Sequence, residues 1–180
     1  MPILRLVRHA EPAAAWGADP DPGLSSLGAS QAEACAQALA PMGGLILSSP
    51  LRRCRETAAP LAGLLGIEAI RIEPAVAEIV APVGIDDRQA WLRDLFARGV
   101  WTDPGLGAWR DRVVEALMSL DADATVFTHY LAINAAVSAA TGKPRIAVCD
   151  PAHVSVTVLE SADGRLRLRE LGAQGGRTVV

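Results

Sequence analysis

Short apolar runs alternate with longer segments of helical periodicity along most of the chain. The runs that predict strands are residues 3–7, 45–48, 70–72 and 125–128. In the intervening segments apolar residues recur three and four positions apart, which is the spacing of a helix with one buried face. The predicted helices are residues 28–40, 51–65, 86–98, 108–120 and 131–140. Because proline cannot donate a backbone hydrogen bond, Pro60 is expected to kink or interrupt the second of these helices.

The last part of the chain carries a different pattern. Apolar and polar residues alternate over residues 154–158 and again over residues 165–169, which predicts two strands that each bury one face. Asp163-Gly164, between these runs, is a pair typical of a β-hairpin turn. Strands that alternate with helices and end in a hairpin predict an α/β protein. The expected architecture is a three-layer α/β/α sandwich, whose sheet is mostly parallel with an antiparallel edge.

Length and composition indicate one globular unit. The 180 residues are predicted to form a single domain, residues 1–180, because a chain of this length can bury a sizeable core. Hydrophobic residues make up 51% of the chain and charged residues 21%, a globular rather than a disordered composition. The stretch at about 74–107 holds three prolines, four glycines and two tryptophans. It is predicted to be a small cap or lid excursion.

Charge and cysteine content narrow the partners and the location. A net charge of −3 gives no reason to expect nucleic acid or an anionic membrane as partner. Three cysteines without Cys-x-x-Cys spacing suit a reducing compartment and argue against a disulfide framework or a zinc site. The amino-terminal residues lack the apolar region of a signal peptide, so the expected location is the cytoplasm. We expect neither a metal nor a cofactor, and the sequence leaves the oligomeric state open.

Basic and polar residues follow three of the predicted strands directly. Arg8-His9 follows the first strand, Ser48-Ser49 ends the second, and His129 follows the strand at 125–128. Parallel sheets bind ligands beyond the carboxyl ends of their strands, so these residues are expected to meet at one place. A guanidinium holds the oxygens of an anion while an imidazole attacks or donates a proton. The sequence therefore predicts a site that handles phosphate.

Three motifs together give the chain a resemblance to a known family. Residues 6–11 read Leu-Val-Arg-His-Ala-Glu, residues 49–58 read Ser-Pro-Leu-x-Arg-x-x-x-Thr-Ala, and a late strand ends in His129. Residues 24–32, Leu-Ser-x-x-Gly-x-x-Gln-Ala, match the segment between the first two motifs. This pattern resembles the histidine phosphatase superfamily, whose fold is that of the phosphoglycerate-mutase-like proteins.

The resemblance implies a role for each matching residue. His9 is the expected nucleophile, which accepts the phosphoryl group as a phosphohistidine. Arg8 and Arg53 are the expected phosphate-binding arginines, and Arg53 rather than Arg52 fits the motif spacing. His129 is the expected second histidine, both phosphate-binding and catalytic. The family usually has glycine at the next position, where this chain has Tyr130.

The general acid is the least defined element of the site. Glu78 is the candidate because Val76-Ala77-Glu78, after a predicted strand and turn, resembles the position of the family's glutamate. Three other carboxylates compete for this role: Glu73, Asp86 and Asp87.

The resemblance implies a metal-independent phosphomonoesterase that acts on a small phosphorylated metabolite. Three alternatives remain: a phosphoglycerate-type phosphomutase, a protein phosphohistidine phosphatase, and a non-catalytic regulator that binds a phosphorylated ligand. Intact Arg8, His9, Arg53 and His129 argue against the regulator. The chain favours a phosphatase over a mutase because it is short and offers little material to exclude water from the site.

Overall fold

Six strands form one mixed sheet in the computed structural model, which describes residues 1–14, 19–80, 85–102 and 104–176, with only the backbone of 85–89. The strands are β1 (Ile3–Arg8), β2 (Leu45–Ser48), β3 (Arg71–Ile72), β4 (Ala124–Thr128), β5 (Val156–Ala162) and β6 (Arg165–Glu170). The helices within these residues are α1 (Ser26–Leu39), α2 (Arg52–Leu64), α3 (Ile85–Arg98), α4 (Pro104–Met118) and α5 (Tyr130–Thr141). Among the described residues, no helix is both long and apolar enough to cross a membrane.

The strand order is β3-β2-β4-β1-β5-β6. The first four strands run parallel, whereas β5 is antiparallel to β1 and β6 is antiparallel to β5. This topology confirms the predicted α/β class and its antiparallel edge. It also places the carboxyl ends of β1, β2 and β4 side by side.

Helices cover both faces of the sheet. Because successive strand residues point to opposite faces, Leu6 of β1 joins the core under α4 and α5, whereas Val7 joins the core under α1 and α2. Val126 and Phe127 of β4 divide in the same way. The central strands are therefore buried on both sides, as expected for the parallel part of a three-layer sandwich.

Two local features bear on the sequence prediction. Pro60, which was expected to kink or interrupt its helix, lies inside α2 without interrupting it. The strand expected from Val154 begins instead at Val156, because Val154 has a φ of 52°, which extended backbone cannot accommodate. The N–H of Val154 donates to the carbonyl of Arg8 at 2.9 Å, which holds this turn against the end of β1.

The hairpin turn between β5 and β6 agrees with its prediction. Asp163 and Gly164 both have positive φ values, 52° and 69°. Two consecutive residues with positive φ are the signature of a two-residue type I′ turn, whose twist matches that of the strands it joins.

The segment at 74–107 packs on the α4–α5 face of the molecule. It comprises a 3-10 helix at Pro74–Val76, then α3 and the start of α4. Leu95 of α3 and Val76 are both buried in the core on that face. The hydroxyl of Thr128 donates to the carbonyl of Val76 at 2.6 Å. The beginning of the segment is therefore fastened directly to the end of β4.

Gly28 provides a test of the packing of α1 against the first loop. A Cβ at this position would lie 2.1 Å from the carbonyl oxygen of Glu11. We expect Gly28→Ala to lower the free energy of unfolding by more than about 1 kcal/mol, although alanine favours a helix over glycine by about 1 kcal/mol. Urea denaturation measures this change. Gly63→Ala in α2 is the matched control, because open space surrounds Gly63 and the substitution should stabilise the protein. Equal stabilisation by both substitutions would contradict the close contact.

Candidate active site

Backbone hydrogen bonds draw the three motif segments together at the carboxyl edge of the sheet. The N–H of His9 donates to the carbonyl of Thr128 at 2.9 Å, and the N–H of Ser49 donates to that of Phe127 at 2.9 Å. The residues that follow β1, β2 and β4 therefore share one small volume. The segments that the sequence predicted to converge do so.

His9 is buried, and one of its ring nitrogens makes a hydrogen bond to the backbone. Nδ1 lies 2.8 Å from the carbonyl oxygen of Ala10. Because a carbonyl only accepts hydrogen bonds, this contact requires a proton on Nδ1, which leaves the lone pair of a neutral ring on Nε2. The N–H of Ala10 in turn donates to Oγ1 of Thr57 at 3.0 Å, which holds the residue whose carbonyl orients the ring. His9 is thus held as the Nδ1–H tautomer with Nε2 available to attack.

His129 lies next to His9, with ring centres 5.3 Å apart. Its Nδ1 is 3.2 Å from Nη2 of Arg53, and its Nε2 is 2.8 Å from Oγ of Ser49. Since a guanidinium only donates, Nδ1 of His129 accepts and Nε2 donates to Ser49. His129 is therefore neutral in this arrangement.

Arg53 is the arginine of α2 that reaches the pocket. Its side chain is buried, whereas Arg52 and Arg55 are exposed and Arg52 pairs with Glu56 at 2.6 Å. Arg53 lies in the first turn of α2, which follows directly on the segment after β2.

Arg8 and Tyr130 form the other side of the pocket. Nη1 of Arg8 donates to the carbonyl of Pro151 at 2.8 Å, and the guanidinium carbon lies 5.4 Å from the centre of the Tyr130 ring. Nε of Arg8 is buried without a hydrogen-bond partner among the described residues. Tyr130 thus contacts Arg8 through its aromatic face, an arrangement that stabilises a guanidinium by cation–π attraction. The Tyr130 ring also contacts the ring of Phe96 in α3 edge-on, with ring centres 6.0 Å apart.

The carboxyl group of Glu78 interacts electrostatically with the positive charges of Arg8 and Arg53. Its Oε1 accepts from the N–H of Ile79 at 3.1 Å, and the N–H of Leu131 also bonds to its carboxyl group. Burial raises the pKa of Glu78 above the usual carboxyl value, and this effect exceeds the opposing pull of the two arginines. A carboxyl group of this kind retains its proton more readily than an exposed one.

Glu73 is the competing carboxylate whose side chain the structure describes. It caps the 3-10 helix by accepting from the N–H of Ala75 at 3.1 Å, and it lies 3.7 Å from Arg71. The side chains of Asp86 and Asp87 lie outside the described residues. Of Glu73 and Glu78, only Glu78 interacts with the charges of both Arg8 and Arg53.

Burial and positive charge keep both pocket histidines neutral. Burial lowers the pKa of His9 well below the ordinary imidazole value, and the charges of Arg53 and Arg8 lower it further. The pKa of His129 is lowered for the same reasons, with His9 itself and Arg53 as the nearest contributing groups. A neutral imidazole is the form that attacks phosphorus.

Sequence reasoning did not assign His153 or Thr57 to the site. The Nδ1–H of His153 donates to the carbonyl of His9 at 3.0 Å. Its ring centre lies 5.5 Å from that of His9, which makes it a third pocket imidazole. Ser49 and Thr57 contact His129 and Ala10 respectively. The motif at 49–58 contained the last two residues, but only the positive-φ turn at Val154 brings His153 inward.

The fold and this site together define a phosphoryl-handling α/β protein. A sequence profile described as histidine phosphatase superfamily (branch 1) matches residues 4–174. The chain therefore belongs to that family. Membership of the family supports its assignment as a phosphoric monoester hydrolase.

Solved structures of similar architecture cover almost the whole chain. A phosphoserine phosphatase from Entamoeba histolytica in complex with 3-phosphoglyceric acid has a TM-score of 0.76 at 18% identity, covering 97% of this chain and 98% of that chain. Mycobacterial glucosyl-3-phosphoglycerate phosphatase has a TM-score of 0.75 at 23% identity, covering 97% and 100%. The protein TTHB049 from Thermus thermophilus has a TM-score of 0.66 at 26% identity, covering 95% and 99%. The first two likenesses establish the shared fold.

One curated protein matches over a shorter region. The PE-PGRS family protein PE_PGRS11 of Mycobacterium tuberculosis is 48% identical over 66 residues, which are 36% of this chain. The match spans 11% of the length of that protein.

The protonation of the pocket histidines can be measured directly, because the chain contains three histidines. We expect the imidazole resonances of His9 and His129 to titrate well below about pH 6.5 in nuclear magnetic resonance spectra, assigned with His9→Gln and His129→Gln. An unfolded chain takes up protons on these rings near about pH 6.5, whereas the folded chain does not. The free energy of unfolding should therefore fall as the pH decreases below that value. Titration of both rings at the ordinary imidazole pKa would contradict the desolvated pocket.

Proposed function

We propose that this protein is a metal-independent phosphomonoesterase that hydrolyses a small phosphorylated metabolite through a phosphohistidine on His9. The observation that carries the proposal is the state of His9. Its Nδ1 is bound to the carbonyl of Ala10, its pKa is lowered, and Nε2 retains the lone pair beside Arg8 and Arg53. Nucleophilic catalysis by histidine needs this tautomer and charge state.

The phosphoryl group binds first among Arg8, Arg53 and His129. The two guanidinium groups hold its oxygens, and the N-terminus of α2 adds its partial positive charge. A bound dianion offsets the positive charge that keeps the imidazoles neutral. His129 can then take up a proton and donate a hydrogen bond to the phosphoryl group.

In the first chemical step, Nε2 of His9 attacks phosphorus while the bond from phosphorus to the ester oxygen breaks. Glu78 gives its proton to the departing oxygen, which leaves as an alcohol. The phosphorylated ring carries a positive charge, which the Nδ1–H bond to Ala10 stabilises. In the second step, water attacks phosphorus while the bond from phosphorus to Nε2 of His9 breaks and its electron pair returns to the ring. The Glu78 carboxylate accepts a proton from the attacking water. Inorganic phosphate departs and His9 returns to its neutral state.

The substrate class rests on the relatives and on the cap. The similar structures include phosphatases for phosphoserine and glucosyl-3-phosphoglycerate, both small phosphorylated metabolites. We assign the cap role to the segment at 74–107 of a single domain, because it supplies Glu78 and packs over the end of β4. Three buried free thiols suit a reducing setting, the cytoplasm.

The covalent intermediate can be trapped. We expect acid-labile phosphate on His9 after rapid quenching with a labelled phosphate ester, and loss of both label and turnover in His9→Ala. Arg53→Ala should reduce kcat/KM by roughly 10²-fold or more, the cost of a lost transition-state donor. Arg55→Ala is the matched control, because Arg55 is an exposed arginine on the same helix. Full turnover in His9→Ala, or a loss of activity with chelator that divalent metal restores, would overturn the proposal.

The role of Glu78 predicts a dependence on the leaving group. A general acid contributes about 10²–10⁴-fold, and an alkyl alcohol needs its proton far more than p-nitrophenol does. Glu78→Gln should therefore slow alkyl phosphates much more than p-nitrophenyl phosphate in steady-state assays. Glu73→Gln, a carboxylate on the same segment that caps a 3-10 helix, should leave the ratio of the two rates unchanged. Equal slowing of both substrates by Glu78→Gln would place the acid elsewhere.

Water rather than a second substrate hydroxyl is expected to resolve the phosphohistidine. Mutase action requires the intermediate to be shielded while the product reorients, and the cap at 74–107 is small for that task. Incubation with 3-phosphoglycerate and its bisphosphorylated primer, followed by assay of inorganic phosphate and 2-phosphoglycerate, measures both outcomes. Isomer formation with negligible phosphate release would show that the enzyme is a mutase.

A further inference from the structure

A cavity of about 450 Å³ lies between the 3-10 helix at Pro74–Val76, α3 and α4. Its size is in the range of small-molecule sites, which is roughly 300–1,000 Å³. Glu78 belongs to its lining and also interacts with Arg8 and Arg53 of the phosphoryl pocket. The cavity and the phosphoryl pocket are therefore neighbours that share one residue.

The general acid marks the side on which the leaving alcohol departs. If Glu78 protonates the ester oxygen, the rest of the alcohol must lie beyond that oxygen, away from phosphorus. The cavity is the space that adjoins Glu78 outside the arginine cluster. This step rests on the proposed function, because it takes Glu78 as the acid.

The walls of the cavity are aromatic and apolar. Trp91 of α3 and Trp109 and Leu106 of α4 line it. Trp109 stacks on Trp101 with ring centres 6.0 Å apart, and Nε1 of Trp101 donates to Oγ of Ser138 at 3.1 Å. One aromatic wall is therefore fixed by the core before any ligand enters, which lowers the cost of binding a flat apolar group.

Two arginine side chains also line the cavity. Arg98 comes from the end of α3 and Arg112 from α4, so two different helices each direct an arginine to this space. Arg98 also pairs with Asp94 at 2.8 Å, whereas Arg112 is an exposed side chain. In a chain with a net charge of −3, such a pair makes a local site for a carboxylate.

We infer that this cavity receives the alcohol portion of the substrate, and that the preferred substrates are phosphate monoesters whose alcohol combines an apolar or aromatic body with a carboxylate. The tryptophans and Leu106 contact the body, and Arg112, assisted by Arg98, binds the carboxylate. Glu78 lies between this group and the phosphoryl pocket.

Two esters with similar leaving groups test the inference. The probes are 4-methylphenyl phosphate and 4-(carboxymethyl)phenyl phosphate, which differ by one carboxylate that is insulated from the phenol. The carboxylate ester should have a KM lower by about threefold to tenfold, the effect of a partly screened charge-assisted contact. Arg112→Ala should bring the ratio of the two KM values close to one. Arg110→Ala is the matched control, because Arg110 lies on the same helix outside the cavity lining and should preserve the ratio.

A binding measurement separates failure of this inference from failure of the proposed function. The product alcohol 4-hydroxyphenylacetate should quench tryptophan fluorescence in the wild-type protein and in Arg110→Ala, but much less in Arg112→Ala. Equal KM values for the two esters, with label still trapped on His9, would overturn the inference and leave the phosphatase intact. If neither ester turns over, quenching that depends on Arg112 still supports the site. Absence of that quenching would overturn it.

Discussion

Positive charge is concentrated in a buried pocket, and the rest of the site depends on this fact. Arg8 and Arg53 stand beside two imidazoles that are almost fully buried. Burial and repulsion from the arginines both disfavour protonation of these rings, so His9 and His129 remain neutral. The same concentration of positive charge favours the binding of an anion. In the proposed reaction, a phosphoryl group supplies that anion, and the neutral ring of His9 is the form that attacks it.

The scaffold supplies this concentration of charge through the topology of the sheet. Parallel strands end on the same edge, so β1, β2 and β4 deliver their following residues to one volume. The antiparallel edge adds a contribution of its own, because the turn at Val154 is bonded to Arg8 and directs His153 toward His9. Hydrogen bonds to Ala10 and Thr57 then fix the ring of His9. Hydrogen bonds among the strand ends and the adjoining turns thus position the side chains of the site.

The cap segment is coupled to the pocket by a few specific contacts. Thr128 bonds to the carbonyl of Val76, and Tyr130 lies between Arg8 and Phe96 of α3. At the position where the family usually has glycine, Tyr130 makes an aromatic contact with Arg8. Glu78 provides a further connection between the cap and the pocket. It lies on the cap segment, and its carboxyl group interacts electrostatically with Arg8 and Arg53.

The sequence by itself determined the order of helices and strands, the α/β class and the convergence of Arg8, His9, Arg53 and His129. These features are local: periodicity reports which face is buried, and polar residues after a buried strand must lie at its end. Arg53 could be distinguished from Arg52 and Arg55 only through the motif, and the burial of its side chain agrees with that choice.

Tertiary structure decided what depends on contacts between distant segments. The position of His153 follows from a backbone turn that breaks the alternating pattern of Val154 and Val156, so periodicity misplaced the start of β5. Glu73 and Glu78 were both candidates for the general acid in the sequence. In the structure Glu73 caps a 3-10 helix, whereas Glu78 interacts electrostatically with Arg8 and Arg53. The shift in pKa of each pocket group likewise depends on burial by residues far away in the chain. No local pattern encodes such burial, because it arises only when the layers of the fold pack together.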